Sequence, residues 1–108
     1  MDELVQKLSE SQHPVEISLR PEKTVEAFKR RLDDGYVHVK FTGTRGGTEL
    51  GVQLDPAATN VSAADFAAGT GTVSLAGELT LNYVRVRCLA EVDLATLAGV
   101  GRLEPLGA

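Results

Sequence analysis

Tryptophan is absent, and only five of the 108 residues are aromatic, two Tyr and three Phe. A core drawn from this chain must be filled by Val, Leu and Ala, and a stacking platform for nucleic-acid bases is excluded. There is one cysteine, Cys88, so no internal disulfide can form. The two histidines and that cysteine show no Cys-x-x-Cys or His-x-x-x-His spacing, which leaves no metal site and no cofactor fingerprint to expect. Clustered basic charge is missing as well. Eleven Lys and Arg are scattered among fifteen Asp and Glu, for a net charge of -4 and a pI near 5.1. Nucleic acid and anionic membrane are poor partners for such a surface, because both need a concentrated positive field. No apolar run approaches the roughly 18 residues of a membrane-spanning helix. The opening MDELVQKLSE lacks the basic start and apolar centre of a signal peptide, so the expected setting is cytoplasmic.

What is present is alternation. From Val73 the apolar residues are Val73, Leu75, Leu79 and Leu81, and from Val84 they are Val84, Val86, Cys88, Ala90 and Val92. The parity reverses at Asn82-Tyr83. A two-residue turn there sets Leu81 against Val84, Leu79 against Val86, Gly77 against Cys88 and Leu75 against Ala90. Every apolar residue then meets another on one face. A slip of one residue would bury the polar set, so the pattern itself fixes the register of this hairpin. On its other face Thr80 meets Arg85, Glu78 meets Arg87, and Ala76 meets Leu89.

A second hairpin is read from Tyr36–Gly43 and Thr48–Asp55 around Gly46-Gly47, a dipeptide that tolerates the positive φ of a tight turn. Centred there, the register places Phe41 opposite Val52 and Val39 opposite Leu54. His38 then faces Asp55, and Lys40 faces Gln53. Ahead of it, Leu4, Val5 and Leu8 mark a short amino-terminal helix, and Val15, Ile17 and Leu19 mark a half-buried strand. Val25, Phe28 and Leu32 give a helix over 22–34 a narrow apolar stripe, ended by Gly35. Residues 56–72, rich in Ala, Gly and Thr with Val61 and Phe66 as anchors, read as a loop too long to be idle. Residues 100–104 form a weak last strand, with Leu103 and Leu106 buried.

The expected architecture is therefore α+β in one domain, residues 1–108. Residues 1–12 form a helix and linker, and 13–106 form an antiparallel sheet of five or six strands, built from two hairpins and packed on the 22–34 helix.

Three side-chain groups carry chemistry. His38 beside Asp55 is the pairing that resembles acid-base machinery, since a carboxylate fixes an imidazole's tautomer and raises its basicity. With Tyr36, Lys40 and Gln53 on the same face and residues 56–72 as a lid, it would line a ligand pocket. The plainer account is an exposed cross-strand ion pair, and no nucleophile accompanies it. Arg45, in the Gly-rich turn 43–48, and Arg85, the freer of two arginines on one face, are candidate anion binders. Turn geometry for the first and sheet-surface charge for the second are the plainer accounts. Ala76 opposite Leu89 makes an apolar spot on a polar face, where an interface could begin.

Two functions follow. The first is a non-catalytic binding or accessory module that meets a protein partner, or a second copy of itself as a homodimer, through a sheet edge or the Ala76–Leu89 spot. The second is a small-molecule-binding protein or small enzyme using the His38–Asp55 face. The lack of a nucleophile, metal set or cofactor motif favours the first.

Overall fold

The computed structural model describes residues 3–19, 22–44 and 46–106. Its elements are α1 (Glu3–Glu10), β1 (His13–Ser18), α2 (Val25–Asp34), β2 (Tyr36–Phe41), β3 (Thr48–Leu54), β4 (Ala64–Asp65), β5 (Thr70–Leu81), β6 (Val84–Asp93) and β7 (Ala98–Pro105). The order β3-β2-β1-β7-β6-β5 returns to its start because β3 also pairs with β5. The result is a closed six-stranded antiparallel barrel with two small helices, not a sheet laid on one main helix.

The α+β expectation fails for a reason of supply. Of the α2 stripe only Phe28 is fully buried, while Val25 and Leu32 are half-covered. One side chain cannot cover the inward face of six strands. The strands cover one another instead, by curling until Val15, Ile17, Val37, Val39, Phe41, Val52, Val73, Val86 and Val92 meet in one interior. Val5 and Leu8 of α1 and Phe28 of α2 join the same cluster, α1 packing on β7 and α2 on β2. The helices complete the core; they do not roof it. Helix α2 opens at an N-cap Thr24 whose hydroxyl accepts the Ala27 N–H at 3.1 Å, and ends where Gly35 adopts φ 79.

The β5–β6 register is the one the alternation dictates, from Thr72–Asp93 through Val73–Val92 and Leu79–Val86 to Leu81–Val84. The β2–β3 register differs from the reading by four residues: Phe41 faces Thr48, Val39 faces Leu50 and Val37 faces Val52. Gly46 and Gly47 do take positive φ, but inside a wider loop in which the Thr44 and Thr48 hydroxyls meet at 2.7 Å. That pair closes the loop behind Phe41 and moves the centre of the hairpin back along the chain. An even shift keeps every side chain on its face, so the core residues are unchanged and only their partners differ.

Residues 56–72 do not cover the β2–β3 face. They run up the edge of β5: Asp55 N–H to Ala76 O at 2.8 Å, Thr59 Oγ to Ala76 O at 3.2 Å, the Asn60–Ser74 bridge, and β4 paired with Gly71 and Thr70. Phe66 packs against the core, whereas Val61 is exposed. Of the carboxy-terminal leucines Leu103 is buried, but Leu106 lies exposed beyond β7.

Candidate functional site

Barrel closure depends on a narrow join. Strand β3 meets β5 only at Gln53–Glu78 and Leu54–Gly77. A Cβ on Gly77 would run into the Gln53 carbonyl and the Val52 side chain, so glycine is what lets the two backbones approach. Beyond this join the strands part. The Leu54 N–H bonds to Gly35 O on the β2 side, and the Asp55 N–H to Ala76 O on the β5 side. By alternation, Gln53 and Gly51 direct their main-chain groups toward β5, and Glu78 and Thr80 direct theirs toward β3. Gly51 and Thr80 would be the next pair, and that pair is not made. The seam therefore ends in an open notch with main-chain edges on both sides.

Around the notch lies a depression of about 310 Å³ lined by Gln53, Leu54, Asp55, Glu78 and Arg85. Its charges are already matched. Arg85 Nη2 reaches Glu78 Oε1 at 2.8 Å and its Nη1 reaches Thr80 Oγ1 at 3.3 Å, while Arg87 Nη2 lies 3.6 Å from Asp55 Oδ2. Register alone pairs Glu78 with Arg87, yet the carboxylate takes Arg85 diagonally. Arg85 is thus not the freer cation it was read as. Arg45, the other anion candidate, lies outside the described residues.

The His38–Asp55 pair is not formed. His38 lies opposite Gly51 and Ser18, whereas Asp55 has passed the end of β3, where its Oδ1 accepts the Ala57 N–H at 3.0 Å. The four-residue change in register separates them. Tyr36, His38 and Gln53 do share a surface: Tyr36 faces Gln53, its hydroxyl lies over Gly51, and its ring stands edge-on to His38 at 5.2 Å. Lys40 sits one row away, facing Glu49 and Glu16, with its stem over Gly47. Residues 56–72 do not cover them, and His38 lines only a shallow depression with Ser18, Arg31 and Glu49, so the small-molecule reading loses the lid it depended on.

Cys88 is buried in the barrel, and burial pushes its thiol up to about 12, which suits a core residue and not a nucleophile. Among the described residues no three His, Cys, Asp or Glu side chains are grouped to hold a metal. Ala76 and Leu89 face each other as expected, but Ala76 is covered by the Thr59 segment and Leu89 is half-exposed.

One residue was missed. Asn82 and Tyr83 form the β5–β6 turn with φ 48 and φ 69, and Tyr83 is fully exposed at its tip. A primed turn accepts Asn at its first position and favours glycine at its second, so the bulky Tyr83 is the strained residue of the two. The signal was legible, since Asn82-Tyr83 was already read as the turn and its second residue is aromatic. A strained aromatic held in water at a turn tip makes Tyr83 a candidate for a role outside folding.

A small closed barrel whose distinctive features are all external, an open backbone notch, a paired-charge depression and a projecting aromatic, is built as a binding subunit. The comparison of sequences agrees. Residues 1–107 match the family model described as "Core binding factor beta subunit", and the chain belongs to that family. Family membership makes it a non-catalytic accessory module that acts through a protein partner. No curated protein matches it in a direct sequence search.

Proposed function

We propose that this protein is a non-catalytic subunit that heterodimerises with a larger protein, docking through the β3–β5 notch and the β5–β6 tip. The observation that carries the reading is Tyr83, a strained and fully exposed aromatic beside an unpaired strand edge. Exposed Tyr supplies large contact area at low entropic cost, and hot spots are enriched in it. The open main-chain groups of Gly51 and Thr80 would hydrogen-bond an approaching segment, with Gln53 and the Arg85–Glu78 pair at the rim. The family supports the class of partner: its members are non-DNA-binding subunits that join RUNX proteins.

Titration calorimetry with a RUNX protein tests both parts. Association is expected, and Tyr83→Ala and Gln53→Arg should each weaken it at least tenfold, or about 1.4 kcal/mol per site. No association refutes the partner class; association indifferent to both substitutions moves the docking surface elsewhere.

A further inference from the structure

The outer wall formed by β6 and β7 carries a pattern that the partner site does not use. Leu89 lies opposite Arg102, and two residues along, Glu91 lies opposite Val100. These four side chains occupy the corners of a rectangle, apolar on one diagonal and oppositely charged on the other. Val100 is 45% exposed, Glu91 is exposed, and Leu89 and Arg102 are half-exposed. Leu89, Glu91 and Val100 line one shallow depression with Ala58 and Ala76.

Such a rectangle is self-complementary. A two-fold axis lying in the wall along the Leu89–Val100 diagonal brings Leu89 onto Leu89 and Val100 onto Val100 of a second copy. The same rotation sets each Arg102 over the other copy's Glu91. Pro14, which pairs with Val100 on β1, is carried onto Ala98, the residue two before Val100 on β7. With strands about 4.8 Å apart and alternate residues about 6.8 Å apart, the diagonal makes the two sets of strands cross at roughly 70°. That is close to the orthogonal class of sheet packing, in which two sheets touch over a small area.

We infer that the β6–β7 wall is an isologous self-association surface, so that the occupant of this face is a second copy of the chain. The argument for a copy over another partner is the charge pattern: Glu91 has no ion-pair partner among the described salt bridges, and the two-fold supplies one twice. Arg102, already 2.9 Å from Glu104 Oε2, would be shared between that carboxylate and the second copy's Glu91. The wall uses β6 only from Leu89 onward, whereas Tyr83 precedes the first residue of that strand, so a dimer of this kind leaves the Tyr83 surface free.

Sedimentation equilibrium on the whole chain, carried up to about 1 mM, decides it. A reversible monomer–dimer equilibrium is expected, weakened at least tenfold by Glu91→Arg, which sets arginine against Arg102 at both contacts, and weakened as much by Arg102→Glu. Mixing the two single variants should restore dimers, since each then supplies the charge that the other lacks. Unchanged circular dichroism shows that both variants fold. A wild-type monomer throughout the range overturns the inference, as does a dimer indifferent to both substitutions or a mixture of variants that stays monomeric.

Discussion

Strand β5 is joined to its two neighbours in the barrel, β6 and β3, in very different ways. With β6 it pairs without a break from Thr72–Asp93 to Leu81–Val84; with β3 it pairs at Gln53–Glu78 and Leu54–Gly77 and then parts. The first join is local in sequence and specified by alternation and a two-residue turn. The second closes the barrel between strands some twenty residues apart and depends on a glycine. A local join needs little loop-closure entropy and can be long; a distant join is held by packing and can be left partly open. Here the open part is where the features of the proposed docking surface collect.

The largest expected effect breaks the distant join. Gly77→Val would drive a branched side chain into the Gln53 carbonyl and Val52, and should cost about 3 kcal/mol or more, read as a lower urea midpoint. A loss below about 1 kcal/mol would mean that the seam yields and that closure does not depend on close approach. Next is the pH response of the β5–β6 side, where Cys88 faces Gly77. Its thiol is raised from 9.0 to about 12 by burial. The folded state therefore holds a proton that the unfolded chain releases above about pH 9, so this contribution is complete below pH 9 and declines as pH rises toward 12. Maleimide at pH 8 should label Cys88 only after denaturant is added; rapid labelling of the native protein would contradict its burial.

Smaller effects sharpen the contrast. Tyr83→Gly should relieve the turn and raise stability by about 0.5 kcal/mol while removing the proposed contact, so that stability and partner affinity move in opposite directions. A loss of stability would show that Tyr83 is held for folding. Smallest is Arg87→Ala, which deletes the half-exposed Asp55 ion pair across the seam; a change under about 1 kcal/mol in thermal unfolding is expected. A larger loss would make that pair a principal clasp of the barrel.

Much of the local structure was written in the chain. The β5–β6 register follows from the change of apolar parity at Asn82-Tyr83, and the end of α2 from Gly35. The inward-facing residues Val39, Phe41, Leu50, Val52 and Leu54 were legible even though their partners were not, because a four-residue shift preserves faces. That same shift dissolved the His38–Asp55 site. Ligand residues inferred from opposition across a hairpin are only as sound as the turn that sets the register, and two glycines did not say whether they formed the turn or sat within a larger loop. The segment 56–72 misled for a related reason: its pairing with β5 uses backbone groups, which carry no side-chain pattern to read.

By itself the sequence determined which faces are apolar, where β5 turns into β6, and that no disulfide holds the fold. Tertiary structure alone decided that the sheet closes on itself. Alternation specifies the two faces of each strand but not the curvature of the whole; closure followed because the inward face of six strands found its cover in the opposite wall and not in a helix. It also decided that β3 and β5 meet only briefly, leaving Gly51, Thr80 and Tyr83 at the open end of the seam, a juxtaposition of residues distant in the chain that no local pattern records.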